Sequence, residues 1–200
     1  IRGSEENVLL LDAGDMFQGT PYFNLYKGEP EIRAMSMMGY DAGTIGNHDY
    51  DAGIENLANQ MSTHAKLPIV ICRYDFRGTP MEHKYQPYKL IKKGGLTIGI
   101  TGVGIEMKGL VADGLYGTTQ YLDPVKLATE TASYLKDRKR CDMVICLSHL
   151  GDKYDDDKVS DEILARRSRN IDLIIGAHTH RFFDKPRIYD NEAGEKVIVN

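Results

Sequence analysis

The sequence predicts an α/β layered domain. Four apolar runs each end in polar residues, helix-spaced segments fill the gaps between them, and a Gly-Gly turn joins two further apolar runs into a hairpin. Buried parallel strands read as continuous apolar stretches, whereas helices repeat their apolar positions every three or four residues. Strand and helix alternating along one chain imply a mostly parallel sheet covered by helices rather than a bundle or an all-β barrel.

The elements follow in chain order. Val8-Leu9-Leu10-Leu11 reads as a first strand running into Asp12-Ala13-Gly14-Asp15. Residues 29–38 carry Ile32, Met35 and Met38 at helical spacing behind Pro30, a good first-turn residue. Asp41-Ala42-Gly43-Thr44-Ile45 leads into Gly46-Asn47-His48-Asp49, and residues 54–62 put Ile54, Leu57, Ala58 and Met61 on one helix face. Residues 69–72, 88–91 and 96–101 read as strands, the last two joined by Lys92-Lys93-Gly94-Gly95 as an antiparallel addition. Asp123-Pro124 opens a helix through Asp137, and residues 159–167 form another. Met143 to Leu147 runs into Ser148-His149, and Leu173-Ile174-Ile175 into Gly176-Ala177-His178-Thr179-His180. Thr101-Gly102-Val103-Gly104 lacks the third glycine of a dinucleotide loop and is expected to be a plain turn. Tyr22, Phe23 and Tyr26 beside Pro21 are expected to pack locally in a loop.

Two hundred residues with 42% hydrophobic content suit one domain over 1–200, with no repeat or linker dividing it. A formal charge of -4 excludes the basic face that a nucleic-acid binder needs to displace counterions. No apolar run reaches the roughly 20 residues of a membrane span. Cys72, Cys141 and Cys146 are too few and too scattered for a disulfide framework and read as small core residues.

Ligands of α/β sheets gather beyond the carboxyl ends of strands, so the four polar endings can converge on one place. Asp15, Asn47, His149, His178 and His180 supply only oxygen and imidazole nitrogen, a set suited to zinc, manganese or iron. A carboxylate can bridge two cations, and His178 and His180, two apart, can point to different sides of the chain. Two metals are therefore expected rather than one. Asp12 is expected to orient its surroundings or make a loop hydrogen bond, and His64 and His83 to play no part.

At these residues the chain resembles the calcineurin-like metallophosphoesterases, and specifically their 5′-nucleotidase branch. The likeness rests on Gly14-Asp15, Gly46-Asn47-His48-Asp49, Ser148-His149-Leu150-Gly151 and Gly176-Ala177-His178-Thr179-His180, and extends through residues 11–21 and 39–43. It implies two packed mixed sheets flanked by helices. It also implies that Asp15 bridges two divalent metals, zinc or manganese, that Asn47, His149 and His178 complete one site, and that His180 belongs to the other. His48 would then steady the transferring phosphoryl group or protonate the leaving alkoxide, with Asp51 fixing its imidazole. The implied reaction is hydrolysis of nucleoside 5′-phosphates by a hydroxide that the metals generate. UDP-sugars, cyclic nucleotides or a thiosulfonate ester are alternative substrates, and a non-catalytic module holding one metal is a third reading.

The likeness has gaps. The branch opens with an Asp-x-His motif that supplies two further ligands, and none precedes Val8, so the motif is expected upstream of Ile1. Cys72-Arg73 stands where the branch commonly has a small residue and Asn, and Arg73 is expected to be a solvated strand-end arginine. A C-terminal nucleobase-binding domain, covalent or separate, and export to the periplasm or cell surface are implied by resemblance alone.

Overall fold

The computed structural model describes residues 3–200. In chain order they form β1 (Leu11–Asp12), α1 (Pro21–Tyr26), α2 (Glu29–Met38), β2 (Ala42–Gly43), a 3₁₀ turn (His48–Tyr50), α3 (Ile54–Thr63), β3 (Tyr74–Asp75), β4 (Tyr88–Lys93) and β5 (Leu96–Val103). There follow β6 (Gln120–Tyr121), α4 (Pro124–Asp137), β7 (Met143–Ser148), α5 (Asp161–Arg167), β8 (Leu173–Gly176), β9 (Arg187–Asp190) and β10 (Lys196–Val199).

A six-stranded sheet runs in the order β4-β5-β7-β8-β10-β9. Its four central strands are parallel, and β4 and β9 close the edges antiparallel. Facing it lies a smaller layer in which β1 pairs parallel with β2, extended by a bridge from Gly43 to Ile69 and another from Val70 to Gln86. Leu9, Leu11, Ala42 and Val70 from the small layer meet Ile98, Ile100, Ile145 and Leu147 from the large one, which is the two-sheet packing that the resemblance implied. Helices α1 to α3 cover the outer face of the small layer through Phe23, Ile32, Met35, Leu57 and Met61. Ala128, Ala132 and Leu135 of α4, with Leu164 and Ala165 of α5, cover the large sheet.

Local chemistry explains the helix ends. Asp123 accepts the N–H of Lys126 at 3.0 Å ahead of Pro124, and Ser160 accepts that of Ile163 at 3.4 Å, so α4 and α5 start on side-chain caps, which α1 to α3 do without. Asp161 and Glu162 in the first turn of α5 and Arg166 and Arg167 in its last oppose the helix dipole favourably. In α2 the apolar residues buried are Ile32 and Met35, while Met38 of the same stripe is exposed.

Several expectations need correction. Residues 21–26 are a helix, not a loop: Pro21 presets its first turn, Phe23 packs on Phe17 with centroids 5.8 Å apart, and Tyr22 and Tyr26 remain exposed. The first strand is only Leu11–Asp12; at Leu10 the carbonyl accepts the Asp41 N–H at 2.8 Å while the Leu10 N–H goes to the Asp41 carboxylate, also at 2.8 Å. Residues 69–72 pair only through bridges. Arg73 is 0% exposed rather than solvated. The β3-β6 ribbon covers it, its guanidinium lying 2.9 Å from the Tyr121 ring centroid while it donates to the carbonyls of Gly104 (2.9 Å) and Leu122. All three cysteines are free, Cys141 and Cys146 buried and Cys72 half-buried.

Thr101-Gly102-Val103 is not a turn but the end of β5, where the two layers touch. Gly102 accepts the Cys72 N–H at 2.9 Å, and a Cβ at Gly102 would collide with the Val70 carbonyl and the Thr44 hydroxyl. Those two groups are themselves hydrogen-bonded at 2.8 Å. Gly102→Ala should therefore destabilise the fold by about 1–3 kcal/mol, measured by chemical denaturation of the metal-free protein. An unchanged midpoint would show that the layers have slack there.

Candidate metal centre

The carboxyl ends of strands from both layers arrive at one cleft of about 500 Å³ lined by Asp15, His149, Asp161, His178, His180 and Phe182, among others. Asp15 reaches it on the loop after β1. The Asp12 carboxylate accepts the Gly14 N–H at 2.9 Å, the loop hydrogen bond expected of it, and Gly14 (φ 94°) and Asp15 (φ 62°) turn the chain through left-handed backbone. Asn47 follows Gly46 on the loop after β2. The two glycines let these loops interlock: a Cβ at Gly46 would sit 2.7 Å from the Asp15 nitrogen, and one at Gly14 2.7 Å from the Gly46 nitrogen.

His149 stands at the end of β7, 1% exposed. Its Nδ1 lies 2.7 Å from the Ala13 carbonyl, which can only accept, so Nδ1 carries the proton and Nε2 keeps a lone pair. Nε2 is 2.9 Å from Asp15 Oδ2 yet makes no hydrogen bond of acceptable angle. Asp15 Oδ1 accepts the His48 N–H at 2.8 Å. His178, past the end of β8, presents its ring 5.2 Å from that of His149, and Asp15, His149 and His178 each offer one ligand atom within 4.8 Å of the other two. Asn47 is 6% exposed, and its Oδ1 is buried with no hydrogen-bond partner among the described residues. A buried imidazole nitrogen without a hydrogen bond, beside a carboxylate and a second imidazole, fits a divalent cation by donor chemistry. The unpartnered Asn47 oxygen, one residue after the Gly46 that abuts Asp15, is of the same donor type, although Asn47 is not among the residues lining the cleft. His180 lines the same cleft but is exposed and stands outside the trio.

Electrostatics agree. Burial, then the neighbouring His149, pushes His178 down to about 4, which keeps it neutral and able to coordinate at physiological pH. Burial opposes the charge on Asp15, but the imidazole of His149 2.9 Å away outweighs it and holds the carboxyl below its ordinary range. At His149 the balance differs: burial opposes its charge, but Asp15 pushes that histidine up, so a cation at Nε2 has to compete with a proton there. Asp15, His178 (φ 72°) and His180 (φ 51°) all adopt left-handed backbone, which costs on the order of 1–3 kcal/mol per residue and persists where the surroundings enforce it.

His48 lies on the 3₁₀ turn. Its Nδ1 is 2.8 Å from Asp51 Oδ2, and Gln18 Nε2 donates to the same oxygen at 2.6 Å. Asp51 does not cap α3, whose N-cap is Gly53. The sequence singles out neither Gln18 nor the buried Asp161, and it marks the buried Asp49 only as part of Gly46-Asn47-His48-Asp49, without a role. Nothing in local spacing separates Gln18 from any loop glutamine, and Asp49 and Asp161 resemble ordinary helix-start acids. His64 is half-buried, 3.9 Å from Glu29, and His83 is exposed beside Glu82, both away from the cleft.

A model of the calcineurin-like phosphoesterase family matches residues 1–182. The 5′-nucleotidase of Rattus norvegicus is 32% identical over 185 residues, which cover 91% of this chain and 31% of that protein. Among solved structures, the 5′-nucleotidase precursor of Thermus thermophilus superposes with a TM-score of 0.87 at 30% identity, covering 100% of this chain and 40% of that one. The NAD nucleotidase of Haemophilus influenzae gives 0.85 at 25% identity, covering 100% and 41%. The chain thus spans 31% of the length of the curated relative.

One consequence concerns Asp161, whose Oδ1 accepts the Ser148 hydroxyl at 2.5 Å behind His149. Burial pushes this carboxyl from 3.8 up to about 8. The folded state therefore keeps a proton that the unfolded chain releases, and the associated stability, full below the unfolded value, is lost as pH rises through the folded one. In the presence of a chelator, Asp161→Asn should gain thermal midpoint relative to the natural protein between about pH 5 and pH 8.5. A difference that stays constant across that range would mean that the carboxyl is already ionised in the fold.

Proposed function

The chain belongs to the calcineurin-like phosphoesterase family, and on that premise we propose that its cleft hydrolyses nucleoside 5′-phosphates to nucleoside and phosphate with two divalent cations. The observation that carries this reading is the convergence of Asp15, His149 and His178 within 4.8 Å, beside the buried Asn47 amide and the His48–Asp51 couple. The relatives' names support the substrate class, since the rat and Thermus proteins are both 5′-nucleotidases.

In this reading Asp15, Asn47, His149 and His178 hold one cation, and Asp15 and His180 contribute to the other, zinc or manganese in each. When bound, such a pair clamps a phosphate, lowers the pKa of water toward about 7 and stabilises in-line displacement. The chain's own residues do the rest. The Ala13 carbonyl holds His149 by Nδ1, which fixes the ring and, in the neutral imidazole, leaves Nε2 as the nitrogen that would coordinate a cation. With Nδ1 of His48 donating to Asp51, a ring that carries its second proton on Nε2 can hydrogen-bond the phosphoryl oxygen or give that proton to the leaving alkoxide, ending as the neutral imidazole. Gln18 shares the Asp51 oxygen and restrains the carboxylate that aims this ring. The nucleobase is taken up by a further domain, covalent or separate, and the protein acts in the periplasm or at the cell surface. No helix among the described residues is long and apolar enough to cross a membrane.

The full-length protein should release phosphate from AMP with added zinc or manganese and stop when the metal is chelated. His48→Ala should lower kcat by about 10²–10⁴-fold with metal content unchanged, whereas Asp15→Ala should lose both metal and turnover. Phosphate release from other esters but from no 5′-mononucleotide would overturn the substrate assignment. An Asp15→Ala protein that keeps its full metal content would overturn the site.

A further inference from the structure

Asp49 follows His48 directly, yet its carboxylate turns away from solvent and is 0% exposed. Oδ2 accepts the N–H of Asp15 at 3.0 Å and that of Gly46 at 2.8 Å, and Oδ1 accepts that of Phe17 at 3.1 Å. Two of these donors belong to the loop that carries Asp15, and the third to the loop that presents Asn47 one residue later. One side chain therefore ties together two segments that are 31 residues apart from Asp15 to Gly46 and are brought into van der Waals contact at Gly14 and Gly46.

The same loop is the one that most needs holding. Asp15 adopts φ 62° and Gln18 φ 81°, conformations that side-chain-bearing residues rarely take. The Asp15 side chain is engaged elsewhere, with Oδ1 on the His48 N–H and Oδ2 against His149, so it cannot brace its own backbone. With Asp49 removed, the three amide groups would be left buried without an acceptor, a state that folded proteins avoid by moving the backbone.

We propose that Asp49 is the positioning residue of the metal centre: by accepting three backbone amides it locks the Asp15 and Asn47 loops into a single ligating arrangement before any cation arrives. It is not itself counted as a ligand: it stands outside the group of Asp15, His149 and His178 whose ligand atoms lie within 4.8 Å of one another, and its oxygens face these backbone donors. Its effect passes through Asp15 and Asn47, so the inference rests on the reading that those two residues hold metal. Asparagine is nearly the same size but turns one acceptor oxygen into a donor, which would face at least one of the three N–H groups head-on.

The test is zinc affinity rather than turnover. The full-length protein would be freed of metal and titrated with zinc against a chromophoric chelator, as the natural sequence, as Asp49→Asn, and as Leu135→Ala, a core variant in α4 remote from the cleft. Asp49→Asn should weaken zinc binding by roughly 10- to 100-fold, the range found when a group that orients ligands is lost, and Leu135→Ala should bind zinc as the natural protein does. Amide exchange on the metal-free natural protein supplies a readout that needs no variant: the N–H groups of Asp15, Phe17 and Gly46 should already be protected. Affinity within about twofold of the natural value for Asp49→Asn, equal weakening by Leu135→Ala, or fast exchange at those three amides would each overturn the role of Asp49. Absence of zinc binding by the natural protein would instead overturn the metal centre itself.

Discussion

The site depends on one junction between the two layers, the approach of Asp15 to His149. Asp15 hangs from the small layer and His149 from the large one, and they meet at 2.9 Å while the Ala13 carbonyl takes the other ring nitrogen at 2.7 Å. Nothing else in the cleft can be placed unless the layers keep this separation. The apolar contact of Leu11, Ala42 and Val70 with Ile100, Ile145 and Leu147 sets the spacing, and the Cys72 to Gly102 hydrogen bond fixes its lateral position. Close-packed interiors tolerate little shift, so a ligand set split between two sheets inherits the rigidity of the core beneath it.

Parallel pairing supplies the convergence. In the large sheet β5, β7 and β8 run together, Val103 opposite Ser148 and Ser148 opposite Gly176, so the residues just beyond these ends must emerge on one edge. In the small layer β1 and β2 are also parallel, Leu11 opposite Ala42 and Asp12 opposite Gly43, which delivers the Asp15 and Asn47 loops side by side. An antiparallel arrangement would have sent alternate loops to opposite ends. The same logic explains why strand-to-loop junctions, rather than helices, carry the candidate ligands.

Much of this was legible in the chain because it is local. Helix α2 spans Glu29–Met38 as its spacing predicted, α4 starts at Pro124 behind an Asp cap, and the Gly94-Gly95 hairpin joins β4 to β5. Apolar runs ending in Gly-Asp, Gly-Asn-His, Ser-His and Gly-Ala-His-Thr-His marked the loops that meet at the cleft, because period and punctuation are written in consecutive residues. What escaped was set by partners distant in sequence. Arg73 is buried because Tyr121 and Leu122, about fifty positions later, fold over it. Strands β9 and β10 escaped because half-buried and exposed residues alternate along β9, and exposed and buried ones along β10, without a long apolar run. Asp49 looked like any acid at the start of a short helix until its three amide donors were in place.

The concentration of unfavourable local features at the cleft has a physical reading. Left-handed backbone at Asp15, His178 and His180, a buried Asn47 oxygen without a hydrogen bond, and an imidazole facing a carboxylate off-angle would each cost stability in isolation. They occur together where donors must face a common point rather than one another. An ion bound there would satisfy the amide oxygen and the imidazole nitrogen at once, and since the unfolded chain holds no such arrangement, its binding energy would add to folding stability. Loops of this geometry depend on the close-packed core beneath them, which supplies the stability that they themselves lack.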